Sequence, residues 1–187
     1  MSETLTLPVL PLDDEVVLPG MVVPIELTDA EVRGAVDAAR NSAGLGRGPG
    51  IRSEEKSQVL LVPRIGGRLA GTGTLAVIEQ VGRMPGGEPG AVLRGVSRVK
   101  IGHGTTGPGA ALWVEGTVID ETGQGARATE LAKEYKSLIV AVLQQRGQWQ
   151  VVDMIQQLDD PSTIADRAGY SSYLRSEEHT SELQSLV

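Results

Sequence analysis

Few residues in this chain could carry acid–base or nucleophilic chemistry. It contains two histidines, His103 and His179, and no cysteine. A Ser–His–Asp triad or a histidine-based metal centre requires more imidazoles, and without cysteine there is no thiolate nucleophile, disulfide or Cys-ligated zinc or iron–sulfur site. We therefore predict that the chain has no catalytic residue, no metal ligand and no enzymatic activity of its own.

The remaining candidates for catalysis have simpler explanations. Ser137 follows Lys136 directly, but neighbours on a helix point in different directions. Lys133 and Ser137 share a helix face, in a pattern typical of a solvated surface pair. The acidic run 13–15 could bind a cation, but it is typical of a solvated turn. The acidic pair 159–160 fits helix capping better than paired acid–base chemistry.

One glycine motif has the form that binds dinucleotides. Residues 102–107, GHGTTG, match G-x-G-x-x-G, a motif whose phosphate site lies at the N-terminus of a helix. Here Pro108, Gly109 and another predicted strand follow, which indicates a turn. The phosphate-binding pattern G-x-x-x-x-G-K-[ST] does not occur in the sequence. We predict that this chain holds no cofactor.

Composition argues against two further classes of function. The 187 residues carry a formal net charge of −7 without a basic cluster, which argues against binding to a nucleic-acid backbone. No stretch approaches the roughly 18 apolar residues of a membrane helix, and the N-terminal segment with Glu3 is not a signal peptide. We predict a cytoplasmic protein without membrane or nucleic-acid partners.

The stretch 7–27, LPVLPLDDEVVLPGMVVPIEL, is almost wholly apolar and contains four prolines. It predicts two short strands joined by a corner at 18–21, LPGM, which fits a type I or type II turn. Because proline has no N–H to donate to a ladder, we do not expect these prolines, at 8, 11, 19 and 24, inside central strands.

A helix is predicted over 28–40, capped by Thr28 or Asp29 with Glu31 in the capping-box position. A Gly-rich loop over 41–57 follows it. Short apolar runs then recur between Gly/Pro turns, which is typical of strands in an antiparallel barrel or sandwich. These runs span 58–65, 71–82, 91–101 and 112–119.

Near Asp120 the apolar spacing becomes helical. Helices are predicted over 126–145 and 148–158, and a third begins with Asp160 as N-cap and Pro161 as its first residue. We predict a β-barrel domain over 1–120 and the start of a helical bundle over 121–174. Apolar residues of the first helix should be partly exposed, namely Leu131, Leu138 and Val142.

The last residues differ from the rest of the chain. Residues 175–185, RSEEHTSELQS, have no helical or strand period and resemble the translation of a common sequencing adapter. We therefore interpret 175–187 as a non-native tail and exclude it from the reasoning about the fold.

Apolar residues at turns are the candidate binding residues. Leu18, Met21 and Met84 lie beside Pro–Gly corners, where polar residues are more usual. Exposed apolar patches mark interaction sites, and methionine adapts to varied partners. With Pro19, these three residues are our substrate-binding candidates. The alternative is that they cap the barrel core.

Several segments resemble one family. The stretch 7–27 resembles the opening of the N-terminal domain of the Lon family of ATP-dependent proteases, of the bacterial type. Leu18 stands where that family commonly has an aromatic residue. Later segments match the family's strands and helix in order: VLLVPR (59–64), GTGTLAVIEQVGRMPGG (71–87), AVLRGVSRVKIG (91–102) and DDPSTIADRAGYSSYL (159–174).

The resemblance implies an α+β fold, a PUA-like pseudo β-barrel with one inserted helix followed by the start of an α-helical bundle. It also implies a domain that recognises unfolded or damaged proteins and supports a homo-hexamer. The ATPase, with its ATP and magnesium, and the Ser–Lys protease domain would belong to the full-length protein. Alternative functions are a stand-alone adaptor or small-ligand-binding module, or a small hydrolase, against which the shortage of titratable groups argues.

Overall fold

Apart from the helix predicted over 28–40, strand-like spacing precedes Asp120 and helix-like spacing follows it. The computed structural model describes residues 4–13, 15–42, 57–120 and 125–170. The chain divides into one unit that ends at Asp120 and another that begins at Glu121. Within the described ranges the elements are β1 (Thr4–Asp13), β2 (Val22–Glu26), α1 (Ala30–Ser42), β3 (Gln58–Ile65), β4 (Arg68–Leu69), β5 (Thr72–Arg83), β6 (Pro89–Thr105), β7 (Trp113–Val118), α2 (Ala126–Gln145), α3 (Trp149–Gln156) and α4 (Pro161–Tyr170).

Five strands of the first unit close into a ring. Around the ring the order is β1, β7, β6, β5 and β3, and β3 then pairs with β1. The β1–β3 ladder is parallel, with Val9 opposite Leu60, and the other ladders of the ring are antiparallel. β2 adds to β6, and β4 adds to β3. The ring favours a barrel over a sandwich and confirms the predicted α+β class.

Pro8 and Pro11 lie inside β1, so the prediction that excluded them from a central strand is wrong. β1 pairs with β7 over residues 4–8 and with β3 over residues 9–13. Because each half is paired mainly along one edge, the missing N–H of a proline can face the other edge without breaking a ladder. The prediction assumed that a strand keeps the same neighbours along its whole length.

The longest strand, β6, has two successive partners on one edge. Its residues 90–94 pair with β2 and its residues 99–105 pair with β7, while β5 follows the other edge. The predicted end of this strand at Ile101 is wrong, because a register shift after Ile101 lets pairing continue to Thr105. The G-x-G-x-x-G motif therefore begins inside a strand and leads into β7, without the helix that phosphate binding requires.

Two buried clusters lie in the first unit. All five ring strands contribute to one of them, which contains Leu7, Val9, Leu60, Val62, Leu75, Val99 and Val114. The other forms where α1 and the chain before and after β2 pack on the sheet, and includes Leu10, Val36, Leu61 and Leu93. Successive residues of β3 alternate between the two clusters. This burial on both faces explains why β3 is a continuous apolar run rather than an alternating one.

Asp29 caps α1. Its Oδ1 accepts the N–H of Glu31 at 2.7 Å and that of the next residue at 3.2 Å. The predicted capping box does not form, because the carboxylate of Glu31 instead accepts a 2.7 Å hydrogen bond from Arg64 on β3. Arg64 also reaches Asp13 at 3.3 Å. The hydrogen bond to Glu31 raises the pKa of the Arg64 guanidinium.

The helices of the second unit have well-defined ends. α2 ends in a Schellman motif, in which the N–H of Gln148 donates to the carbonyl of Leu143 and that of Gly147 to the carbonyl of Gln144. Gly147 has the required φ of 68°. α2 and α3 share a small core, and its buried members are Ile139, Leu143, Val152 and Ile155.

α4 begins at the predicted cap. Oδ2 of Asp160 accepts hydrogen bonds from both the hydroxyl and the N–H of Thr163, each at 2.7 Å, and these bonds lower the pKa of Asp160. Leu131 and Leu138 are exposed by 47% and 68%, and Val142 is half-buried, so all three are at least partly exposed, as predicted. Most of the predicted loop 41–57 and the whole tail 175–187 lie outside the described residues.

Candidate functional site

The first candidate region is the corner, residues 18–21. A 3.1 Å hydrogen bond from the N–H of Met21 to the carbonyl of Leu18 closes it, and Gly20 has a φ of 82°. These features define a type II turn with the proline at its second position. The N–H of Gly20 donates to the carbonyl of Gly95 at 3.0 Å, and the N–H of Gly95 donates to the carbonyl of Met21 at 2.9 Å. The corner is therefore fastened to β6.

The side chains of the corner belong largely to the core. Met21 is 8% exposed, Pro19 is half-buried, and the partly buried Leu18 packs against the cluster under α1. The buried hydroxyl of Thr74 donates to the carbonyl of Val17 at 2.6 Å, so the chain that enters the corner is bonded to β5. The corner consequently offers little free apolar surface to a ligand.

The second candidate region is the tip of the β5–β6 hairpin. The N–H of Met84 donates to the carbonyl of Glu88, and the N–H of Gly87 donates to the carbonyl of Met84, both at 2.8 Å. Gly87 has a φ of 89°. This is a three-residue loop closed by a glycine in the left-handed region, a common hairpin connection. The loop fixes the main chain of Met84 and leaves its side chain half-buried.

An apolar groove of about 330 Å³ lies beside this tip, and we call it the hairpin groove. Pro24 stands opposite Val92 in the β2–β6 ladder, and Gly82 stands opposite Gly90 in the β5–β6 ladder. Its surface combines prolines and a thioether with the amide of Gln80 and the guanidinium of Arg83, groups that bind rather than catalyse. The lining residues are Pro24, Gln80, Gly82, Arg83, Met84, Pro85, Gly90 and Val92.

The four predicted candidates do not converge on one site. The corner lies at the end of β2 where Val22 pairs with Arg94, whereas Met84 lies at the end where Glu26 pairs with Gly90. Four residues of strand, about 13 Å, separate these two ends. Leu18, Pro19 and Met21 are therefore grouped at the corner. Met84 is the one of the four candidates that lines the hairpin groove.

Of the residues that line the hairpin groove, only Met84 is singled out by the sequence. Pro24 carries a usable signal, because a proline inside a short strand marks a sheet edge. Gly82 and Gly90 carry another, because glycine within a strand marks a close approach of other atoms. Val92 carries none, since an apolar residue in a strand is ordinarily a core residue.

Among the described residues, the others considered for chemistry are not assembled into a site; Asp14 and His179 lie outside the described ranges. The Ser137 hydroxyl donates to the carbonyl of Lys133 at 2.9 Å, which is a local surface bond. His103 is exposed. Within the described ranges, no three His, Cys, Asp or Glu side chains are grouped as metal ligands. Among the helices described, none is both long and apolar enough to cross a bilayer.

The helical unit has an apolar groove of its own. It also measures about 330 Å³, and it lies between α2 and α4. Small side chains dominate its lining, which comprises Ala128, Leu131, Ala132, Tyr135, Pro161, Ile164, Ala165 and Ala168. Unlike the hairpin groove, it has no amide or guanidinium group in its lining that could bind a peptide main chain.

The chain is similar to proteins of one family. The family model of the ATP-dependent protease La (LON) substrate-binding domain matches residues 6–185. The Lon protease of Salinispora arenicola (strain CNS-205) is 50% identical over 169 residues, covering 90% of this chain and 20% of that protein. The Lon protease of Mycolicibacterium smegmatis is 49% identical over 174 residues, covering 93% and 21%. The chain thus spans about a fifth of the length of these relatives.

Solved structures agree with the family match. The N-terminal domain of a Mycobacterium avium complex Lon protease has a TM-score of 0.74 at 45% identity, covering 90% of this chain and 83% of that one. A Lon N-terminal domain protein from Xanthomonas campestris has a TM-score of 0.52 at 18% identity, covering 89% and 98%, which shows a likeness of fold alone.

Proposed function

The chain belongs to the substrate-binding domain family of the ATP-dependent protease La (Lon), and on that basis we propose that it binds unfolded polypeptide segments in the hairpin groove. The observation that carries this proposal is the position of Met84. This residue is the one candidate from the sequence that lines an apolar groove, and most of the residues around it are exposed.

The chemistry of the groove suits an unfolded client. Unfolded chains differ from native ones in exposing aliphatic and aromatic side chains, and prolines, Val92 and Met84 offer such side chains an apolar surface. A volume of about 330 Å³ is at the lower end of ligand pockets and accommodates one or two side chains rather than a folded surface. The flexible thioether of Met84 adapts to different shapes, which suits a site that accepts many sequences.

Polar groups in the lining complement these apolar contacts. Arg83 has five N–H donors, of which one is used at 3.0 Å by the carbonyl of Gly87. Gln80 contributes an amide to the same lining. Both side chains can donate to the carbonyl oxygens of an extended client, which are present whatever the client's sequence.

A single groove of this size supports weak binding, because few contacts must offset the entropy lost on association. In a homo-hexamer, several grooves could hold one unfolded chain and raise the avidity without any new contact. We assign the hexamer, the cytoplasmic location and the degradation of unfolded or damaged proteins to the complete protein. In it, ATP, magnesium and the protease centre act outside this chain, which itself needs no cofactor.

The proposal is tested with one model protein in two states, permanently unfolded by reduction and alkylation, and native. The fluorescence anisotropy of the labelled client measures its affinity for this chain. We expect binding of the unfolded form, and a Met84→Ala variant should bind it about fivefold to tenfold more weakly. The matched control is Met154→Ala, which truncates an exposed methionine of the helical unit and should change affinity by less than twofold.

Equal affinity for the unfolded and native forms would overturn the recognition of unfolded clients. Equal losses in Met84→Ala and Met154→Ala would place the binding surface outside the hairpin groove. The family match and the relatives' names favour this function over a stand-alone adaptor or small-ligand module. Saturable binding of a small apolar molecule that leaves client binding unchanged would support that alternative.

A further inference from the structure

Two glycines face each other beneath the tip of the hairpin. Gly82 of β5 is the direct partner of Gly90 of β6, and both line the hairpin groove. Glycine weakens a strand, because it has no side chain to pack and loses more backbone entropy on folding. Neither residue is among the glycines with positive φ. Their backbone conformation therefore does not require glycine, so any requirement must come from space.

The space around the two glycines differs sharply. A Cβ atom added at Gly90 would lie 2.5 Å from both Cγ and Sδ of Met84, and 3.3 Å from the carbonyl oxygen of Ile25. A Cβ atom added at Gly82 would meet only Nε2 of Gln80, at 4.0 Å. The Met84 side chain thus lies directly against the bare Cα of Gly90, whereas the surface at Gly82 is open.

The main chain of Met84 cannot follow if its side chain is displaced. Hydrogen bonds to Glu88 and from Gly87 hold it at the base of the hairpin loop. The thioether chain, in contrast, has three rotatable bonds. Rotation of the Met84 side chain would therefore relieve the two 2.5 Å contacts of a methyl group at Gly90. The contact of 3.3 Å with the carbonyl oxygen of Ile25 would require a shift of a few tenths of an ångström.

We propose that Gly90 is a positioning residue, the seat that holds the Met84 side chain in the wall of the hairpin groove. This inference rests on the proposed function, because it assigns the seat a role in binding clients. When a side chain is introduced at Gly90, the Met84 side chain is displaced from the wall of the groove and takes up volume that a client side chain would use. Client affinity falls although the apolar composition of the groove is unchanged.

The first test measures, without any client, whether the Met84 side chain moves when Gly90 gains a methyl group. The chain has four methionines, so carbon-13 labelling of their ε-methyl groups gives four signals to assign. In Gly90→Ala the signal of Met84 should move, while those of Met21 and Met154 stay in place. In the matched control Gly82→Ala all of these signals should stay. An unmoved Met84 signal in Gly90→Ala, or loss of the folded state in that variant, would contradict the proposal that Gly90 positions the Met84 side chain.

The second test is a double-mutant cycle with the unfolded client. Gly90→Ala should weaken binding about fivefold. Gly104→Ala, on the same strand but outside the groove, should weaken it by less than twofold, because a Cβ atom added there meets nothing within 4 Å. In a Met84→Ala background, Gly90→Ala should change affinity by less than twofold, because no side chain is left to displace. An undiminished fivefold loss in that background would show that Gly90 acts through β2 and the carbonyl of Ile25, which contradicts the proposal.

The two tests separate the seat from the proposed function. If the Met84 signal moves in Gly90→Ala but Met84→Ala binds the client normally, the groove is not the client site. In that case both the proposed function and the role of Gly90 in client binding are wrong. If Met84→Ala weakens binding and the Met84 signal does not move in Gly90→Ala, client binding in the groove is supported, and the positioning role of Gly90 is contradicted.

Discussion

Two Pro–Gly corners of this protein look alike in sequence and differ in the structure. Residues 18–21, LPGM, and residues 84–87, MPGG, each place a methionine beside a Pro–Gly pair. In the first, the methionine is buried and the turn is bonded to β5 and β6 through Thr74 and Gly95. In the second, the loop is closed by its own hydrogen bonds, and the methionine lines a groove.

A Pro–Gly turn therefore does not determine whether the apolar residue beside it is buried. The corner is hydrogen-bonded to Gly95 on β6, the chain entering it is bonded to Thr74 on β5, and Met21 lies in the same buried cluster as residues of α1. The hairpin tip lies beyond the last pair of β5 and β6, Arg83 with Pro89, and β2 pairs with β6 beside it. The methionine is buried in the core at the first place and lines a groove at the second because of what packs on it.

The largest effect is expected for Gly95→Ala. A Cβ atom there would lie 2.5 Å from the carbonyl oxygen of Leu18, a main-chain atom that cannot rotate away. We expect a loss of about 3 kcal/mol in the free energy of unfolding, the upper end of the usual cost of overpacking. Urea unfolding in a Trp149→Phe background, where the buried Trp113 reports on the barrel, measures it. A loss no greater than in Gly82→Ala would show that the corner is not fastened as described.

The second effect compares the same truncation at the two methionines. Met21→Ala removes a side chain that is 8% exposed and should lower the free energy of unfolding by about 2 kcal/mol, through lost burial and a residual cavity. Binding of the unfolded client per folded molecule should not change. A weaker client affinity in this variant, measured well below its unfolding midpoint, would mean that the corner also contacts clients.

A smaller effect is expected for Thr74→Val. This nearly isosteric change removes the hydroxyl that donates to the carbonyl of Val17 at 2.6 Å and leaves that carbonyl without its donor. We expect a loss of about 1 kcal/mol in the free energy of unfolding. Thr72→Val, at the exposed start of the same strand, is the control and should be close to neutral. Equal effects would show that the hydrogen bond from Thr74 to Val17 does not stabilise the corner.

The smallest effect on stability is expected where the effect on binding is largest. Met84→Ala truncates a half-buried side chain at the hairpin tip, so the free energy of unfolding should change by about 0.5 kcal/mol, as for other surface substitutions. Urea unfolding on the same samples used for client binding checks this. If Met84→Ala lowers the free energy of unfolding as much as Met21→Ala, the two methionines contribute equally to stability, which contradicts the difference described between the two corners.

Much of the fold follows from local pattern. The spacing of apolar residues predicts α2 over 126–145 and β3 over 58–65, with the bounds that the structure shows. Asp160 is predicted as a cap, since an acidic side chain before Pro161 can accept the free N–H groups of a helix start. The family resemblance, carried mainly by residues 7–27, is confirmed by the family match.

The errors have a common physical cause, which is that they depend on partners distant in the chain. Pro8 and Pro11 are tolerated in β1 because that strand changes partners between them. β6 continues past Ile101 because β7 continues to pair with it. Glu31 leaves the capping-box role because Arg64, 33 residues away, offers it a charged donor. A local pattern contains none of these partners.

The sequence alone indicates which segments become strands or helices and which side chains are present for chemistry. Periodicity and proline, glycine and capping residues act over a few neighbours, so they can be read along the chain. The closure of the ring, the burial of Met21 and the position of Met84 against Gly90 follow from long-range packing. Those outcomes depend on which distant strand passes beneath a turn, and only the folded backbone brings such segments together.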